Sequence, residues 1–271
     1  MKFVFLHGSF HAAWNWHMVL PLLQQSGHSG IALDLPAHGL DRTPSHRAGL
    51  QACVDVVLEK IHTLKEPVVL VAHSRNGIVI SQAAEQCPEK IQGLIYIAAY
   101  LIPNGKCMMD YAIQDKESLV LQNVLPRSGL SKMTQLIRLY RKSFWRATLP
   151  LILPRKLQVH RLRKEAYFEA LYHDCPAHIT ELANTLLQDE PNWAGFTPLA
   201  LTPSRYGQVP KVYVECLQDR AVTLPLQRAM QTDQPCNAVY SIDSGHSPFF
   251  SQPEKLMEIL IDTKRHFPER S

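Results

Sequence analysis

The run Val68-Val69-Leu70-Val71 is the tightest constraint on how this chain can fold. Consecutive aliphatic residues leave no polar face. Such a segment is a strand buried on both sides, inside a sheet covered by helices. It stops at Ala72-His73-Ser74-Arg75-Asn76-Gly77, and a helical pattern starts at once with Ile78-Val79-Ile80. A turn this sharp holds a serine out above the sheet edge, with the N–H groups of the next helix aimed at the same spot. The pattern approaches G-x-S-x-G, with Ala72 for the first glycine, Asn76 for the second and Gly77 one place later. A serine that merely caps the next helix leaves the same trace, so other parts of the chain must decide.

The same rhythm recurs. Strands are expected over 3–6, 29–33, 68–71, 91–98, 211–216 and 238–242, and helices over 13–25, 50–64, 78–86, 225–230 and 253–265. Short apolar strands alternating with helices specify a parallel sheet with both faces covered. The alternation stops over 101–206, which reads as helical, broken by prolines and without a convincing strand. Within it, 131–148 places Met133, Leu136, Ile137, Tyr140 and Phe144 on one helical face. The expected fold is therefore α/β: a doubly wound, mainly parallel six-stranded sheet built by 1–100 and 207–271, with a helical cap, 101–206, inserted after the fourth strand. Ligands bind beyond the carboxyl ends of such strands, and a cap inserted there roofs the site.

Composition narrows the classes further. The 271 residues are 46% hydrophobic and 19% charged, as in globular enzymes. The apolar start is too short for a signal-peptide core, so no targeting segment is expected. No run approaches the length of about 18 apolar residues that a spanning helix needs. Six scattered cysteines without a C-x-x-C point to a reduced, cytoplasmic setting. With no metal-ligand cluster in sight, neither a metal nor a cofactor is called for, and the expected state is a monomer or homodimer. Of the 28 Lys and Arg, eleven lie between Arg127 and Lys164, where there is no Asp or Glu; the other seventeen stand against all 24 acids. That basic segment has three readings: a solvated helix face, contact with an anionic membrane surface helped by Trp145 and the apolar residues 149–153, or attraction of an acidic substrate or leaving group. Nucleic acid is not expected, because no aromatic platform accompanies the charge.

Chemistry enters through residue order. A serine hydroxyl needs a base in contact with it, and the base needs a third group to orient it. Asp219 follows the fifth expected strand in Leu217-Gln218-Asp219-Arg220, and His246 follows the sixth in Ser244-Gly245-His246-Ser247. Ser74, Asp219 and His246 thus fall at carboxyl ends of three strands, in the chain order Ser, Asp, His. Asp243 is a rival carboxylate, but three residues from His246 it is expected to shape that loop. Neighbours in a sharp turn diverge, which argues against His73 as the base, and Asp34 is expected to brace the turn at His38-Gly39. An oxyanion needs preorganised donors. The N–H of Arg75 is one; the other is expected from His7-Gly8-Ser9-Phe10, with Ser9 the first choice and Phe10 the second. Phe10, Trp14, Tyr140, Phe144 and Trp193 are the candidate lining of the substrate pocket, although for Trp14, as for Trp16, anchoring the first helix is the favoured role.

The chain resembles the α/β-hydrolases of the plant methylesterase and hydroxynitrile lyase group, with their bacterial esterase relatives. The resemblance rests on Phe3-Val4-Phe5-Leu6-His7-Gly8-Ser9-Phe10-His11-Ala12-Ala13-Trp14-Asn15-Trp16, on Asp34-Leu35-Pro36-Ala37-His38-Gly39, on Ala72-His73-Ser74, on Lys211-Val212-Tyr213-Val214 with Asp219 and Gln227, and on Gly245-His246-Ser247-Pro248. It covers the core and fades in the cap. It implies Ser74, Asp219 and His246 as the triad, Ser9 and Arg75 as oxyanion donors, and a serine hydrolase that cleaves a carboxylic ester or lactone through an acyl-enzyme. Cyanohydrin-cleaving members carry a lysine after the catalytic histidine and a threonine after the first histidine of the oxyanion turn. Here those positions hold Ser247 and Gly8, which favours hydrolysis. The alternatives are a lyase using the same triad and a ligand-binding receptor that retains a slow one. Arg75, where the group has an apolar residue, and Asn76, where a small one permits the turn, are the departures. Asn tolerates positive φ better than most residues, so the turn is expected to survive.

Overall fold

The computed structural model describes residues 1–128 and 158–268. In chain order its strands are β1 (Lys2–Leu6), β2 (Ser29–Leu33), β3 (Val68–His73), β4 (Ile91–Ile97), β5 (Val124–Ser128), β6 (Gln158–Leu162), β7 (Glu190–Pro191), β8 (Lys211–Cys216) and β9 (Ala238–Ile242). Its helices are α1 (Val19–Gln25), α2 (Leu50–His62), α3 (Gly77–Gln86), α4 (Met108–Ala112), α5 (Leu119–Asn123), α6 (Ala177–Leu186), α7 (Leu224–Asp233), α8 (Pro248–Ser251) and α9 (Pro253–Asp262). Six strands form one sheet in the order β2-β1-β3-β4-β8-β9. Every neighbouring pair in it is parallel. The six-stranded parallel sheet expected from the sequence is present.

Alternation within β1 explains the layers. Val4 and Leu6 pack with Val54, Val57 and Ile61 of α2 and Ile78 of α3. Phe3 and Phe5 face the other way, against Trp16, Val19 and Leu23. Both faces of the sheet are thereby covered, as its continuous apolar strands require.

The chain leaves β1 for β2 on one side and then crosses from β2 to β3 on the other side of β1. That makes the carboxyl ends of β1 and β3 the switch point at which such sheets open a crevice. The register pairs Leu6 with Ala72, so the turns after the two strands start side by side. At the far edge Cys216 pairs with Ile242, which brings the turn holding Asp219 beside the loop holding His246.

Two expectations need correction. The first helix does not run over 13–25. A single 3-10 turn, Ala13–Trp16, precedes α1. Pro21 accounts for the break, since its ring would clash with the carbonyl four residues earlier if the helix extended upstream. The segment 101–206 is not strandless either: β5, β6 and β7 form a small antiparallel sheet. β6 carries His160 and Arg161 between its buried Val159 and Leu162, and β7 has two residues, so neither shows the apolar run that marks the core strands. The expected helix over 131–148, with Tyr140 and Phe144, and most of the basic segment lie outside the described residues. Arg161, which is described, pairs with Asp189.

Candidate active site

The turn after β3 is shaped by a single unusual residue. Ser74 sits at φ 54°, a left-handed conformation that non-glycine residues rarely adopt. Strain of this kind persists where surrounding contacts over-determine it. Here the Ser74 carbonyl accepts from the Tyr100 N–H at 2.9 Å, and the Asn76 side-chain amide donates to the His7 carbonyl. Asn76 itself has φ −78°, so its tolerance of positive φ is not what preserves the turn. The residue that must be small is Gly77: a Cβ there would come within 2.4 Å of the Tyr100 carbonyl oxygen. The displaced glycine of the sequence pattern thus marks where α3 meets the loop after β4.

Asp219 and His246 meet across the ends of β8 and β9. His246 Nδ1 lies 2.7 Å from Asp219 Oδ2, and both side chains are buried. Asp219 Oδ1 accepts from the N–H groups of Ala221 at 2.7 Å and Val222 at 2.9 Å. Gln227 braces the same turn, donating to the Val222 carbonyl at 2.8 Å and accepting from the Cys216 N–H at 3.0 Å. With Oδ1 occupied by backbone, Oδ2 faces the imidazole, so Nδ1 is the donor and Nε2 is left with its lone pair. The His73 ring lies 4.4 Å from that of His246, and its Nε2 is 2.8 Å from the His246 carbonyl oxygen. Burial, the largest effect, holds His73 well below the ordinary histidine range, so it packs there as a neutral ring. Asp243 points elsewhere and accepts from the Gln218 amide at 2.7 Å. Asp34 accepts from the N–H groups of Ala13 and Leu40 and braces its turn.

Ser74, Arg75, Ser9 and His246 line one cavity of about 720 Å³, counting the space open to solvent. Gly8 lies against the elbow: a Cβ there would sit 2.6 Å from His73 Nδ1 and 3.0 Å from Ser74 Cβ, so only glycine lets the two turns approach. The Gly8 carbonyl is held by His7 Nδ1 at 2.8 Å and by the His11 N–H at 3.4 Å. In a trans peptide the N–H of Ser9 then points the opposite way, and no group among the described residues takes it. Phe10 cannot serve as the second-choice donor. Its N–H is bound to Glu190 Oε2 at 2.9 Å.

The rest of the cavity wall divides by polarity. Met108, Met109, Leu121, Val124, Leu171 and Val222 contribute apolar surface together with Phe10, while Arg75, His160, Glu190 and Asn192 make a polar side. Trp14 and Trp193 do not belong to it. Trp14 stacks on Phe250 with ring centroids 5.9 Å apart, and Trp193 packs on Gly49 at the start of α2. Tyr140 and Phe144 lie outside the described residues.

Glu190 is the residue that sequence reading missed. Arg75 is buried, pairs through Nη1 with Glu190 Oε1 and donates to the Pro191 carbonyl at 2.9 Å. His38 Nε2 lies 3.3 Å from Glu190 Oε2. Burial pushes the Glu190 carboxyl up, but Arg75, His38 and the Phe10 N–H together outweigh it and hold it at about 2. Removing one partner of such a pair strands the other charge, at a cost of about 3–5 kcal/mol. A signal for it existed: a cation directly after the elbow serine must be buried, and a buried cation requires an acid somewhere in the chain.

Known proteins place the chain among relatives. The model of the alpha/beta hydrolase family matches residues 3–259. Methylesterase 7 of Arabidopsis thaliana is 31% identical, over 96% of this chain and 95% of its own. Methyl jasmonate esterase 1 of Vitis vinifera is also 31% identical, over 95% and 94%. Among solved structures, that of a methylesterase from Arabidopsis superposes with a TM-score of 0.78 at 22% identity, covering 98% of this chain and 99% of that one. The chain belongs to the alpha/beta hydrolase family and is a carboxylic ester hydrolase.

Proposed function

We propose that the protein cleaves a carboxylic ester or lactone through an acyl-enzyme on Ser74. His246 Nε2 takes the hydroxyl proton as Ser74 Oγ attacks the carbonyl carbon. Asp219 holds the imidazole in the required tautomer and compensates the imidazolium. The oxyanion of the tetrahedral intermediate accepts from the N–H groups of Ser9 and Arg75, each worth roughly 3 kcal/mol of transition-state stabilisation. His246 then returns the proton to the leaving alcohol. It next activates water, which releases the acid and restores Ser74.

The observation that supports this reading most is the Asp219–His246 contact of 2.7 Å at the rim of a cavity that Ser74 also lines. The apolar lining suits a small to medium, largely apolar ester. Relatives named methylesterases agree with ester chemistry. Ser247 stands where cyanohydrin-cleaving enzymes need a lysine, which favours hydrolysis over lyase chemistry. Hydrolysis of p-nitrophenyl butyrate, followed at 400 nm or so, is the test. Ser74→Ala is expected to remove it, and activity near wild type in a folded Ser74→Ala protein would overturn the assignment.

A further inference from the structure

A short piece of the cap, residues 188–191, is joined to the elbow itself and to two core loops beside it. The Gln188 N–H donates to the Phe10 carbonyl at 2.9 Å, and Gln188 Oε1 accepts from the Gly39 N–H at 2.6 Å. Glu190 Oε2 accepts from the Phe10 N–H at 2.9 Å and lies 3.3 Å from His38 Nε2. Glu190 Oε1 pairs with Arg75, whose guanidinium also donates to the Pro191 carbonyl. Both backbone polar groups of Phe10 are therefore taken by the cap.

Phe10 is the residue that needs such restraint. It sits at φ 67°, where a bulky side chain is a genuine outlier. The peptide joining Ser9 to Phe10 is held at one end by His11 Nδ1, 2.7 Å from the Ser9 carbonyl, and at the other by Glu190. If the Glu190 contact is lost, Phe10 can relax toward negative φ. The Ser9–Phe10 peptide then rotates, and with it the turn that aims the Ser9 N–H. Glu190 is fully buried and held ionised by its partners, so it supplies this contact across the working pH range.

We propose that Glu190 is a positioning residue for the oxyanion turn: a cap-borne carboxylate that holds Phe10 in its left-handed conformation and ties it to Arg75 in the elbow. It touches no reacting atom and acts through the Ser9 N–H. The inference rests on the Ser74 mechanism proposed above.

The test separates the hydrogen-bond acceptor from the charge. Arg75→Met/Glu190→Gln keeps an acceptor for the Phe10 N–H, whereas Arg75→Met/Glu190→Leu removes it, and neither leaves an unpaired charge. The Leu variant is expected to have kcat about 10–100-fold below the Gln variant, short of the loss of a whole donor, with KM within about threefold. Inhibition by butylboronic acid, which forms a tetrahedral adduct, should weaken by the same factor as kcat. Should the Leu variant fail to fold, Glu190→Asp decides alone: it keeps a charge for Arg75, draws back from Phe10, and is expected to lose kcat about tenfold or more. A folded Leu or Asp variant with the kcat and boronate affinity of its partner (the Gln double variant and wild type, respectively) overturns the inference. Because wild type and Ser74→Ala are assayed alongside, failure of the underlying Ser74 reading would show as hydrolysis that survives Ser74→Ala.

Discussion

Asp219 shows how one carboxylate can be committed before substrate arrives. Two backbone N–H groups fix Oδ1, so Oδ2, which also accepts from Gln227 Nε2 at 3.4 Å, is the oxygen left to face His246. Asp219→Asn is informative for that reason. The amide oxygen has to stay on the two N–H donors, which turns the NH2 toward His246 Nδ1. The imidazole must then accept at Nδ1 and carry its proton on Nε2, where it can no longer receive one from Ser74. A loss of about 10⁴ in kcat is expected, with KM little changed. Steady-state kinetics on a p-nitrophenyl ester would check it, and a loss below about tenfold would mean that Asp219 does not set the tautomer. Asn76 and Gly77 carry the other lesson at this scale. The sequence pattern suggests a glycine substituted by asparagine, but the close approach that demands glycine has moved one position along, to where α3 faces Tyr100.

Strand ends concentrate buried histidines. His7 directly follows β1, His73 closes β3, and His11 lies in the turn between β1 and α1. Burial is the largest effect on each; it holds His11 at about 3 and His7 and His73 well below their ordinary 6.5. The sign follows from linkage. In the unfolded chain these rings take up protons near pH 6.5, and in the fold they do so only at much lower pH. Below about 6.5 the unfolded state therefore binds more protons, and stability falls as pH falls. The thermal midpoint is expected to drop between about pH 7.5 and about pH 5.5. His11→Asn, which cannot titrate, should make the drop shallower. A midpoint that rises toward acid, or a slope unchanged by His11→Asn, would show that these rings are not held neutral. Elements differ in how legibly they were written. The core strands were readable because most are short, largely apolar runs that alternate with helices. The cap strands were not, because β6 mixes buried and charged positions and β7 is only two residues long.

Across the whole molecule, the sheet brings together what the chain keeps far apart. Ser74, Asp219 and His246 could be picked out of the sequence because each follows its own strand, and parallel order puts all three on one edge. Arg75 and Glu190 could not be paired that way. Their contact joins core to cap, and nothing local to Glu190 distinguishes it from a surface acid. The same holds for Trp14 and Trp193, whose size suggested a pocket wall while their stacking partners, Phe250 and the backbone at Gly49, lie elsewhere in the chain. What unites these parts is a cap that does more than roof the cavity. Through Glu190 it holds the turn after β1 at Phe10, and through Asp174, 2.6 Å from the Gly245 N–H, it holds the loop that carries His246. The most direct measurement of the central claim is to quench the protein with acid within its first turnover of p-nitrophenyl butyrate and map the covalent product by mass spectrometry. A butyryl ester on the peptide containing Ser74, absent in Ser74→Ala, is the expected result; a butyryl group on another residue, or turnover that leaves no covalent species and persists in Ser74→Ala, would contradict it.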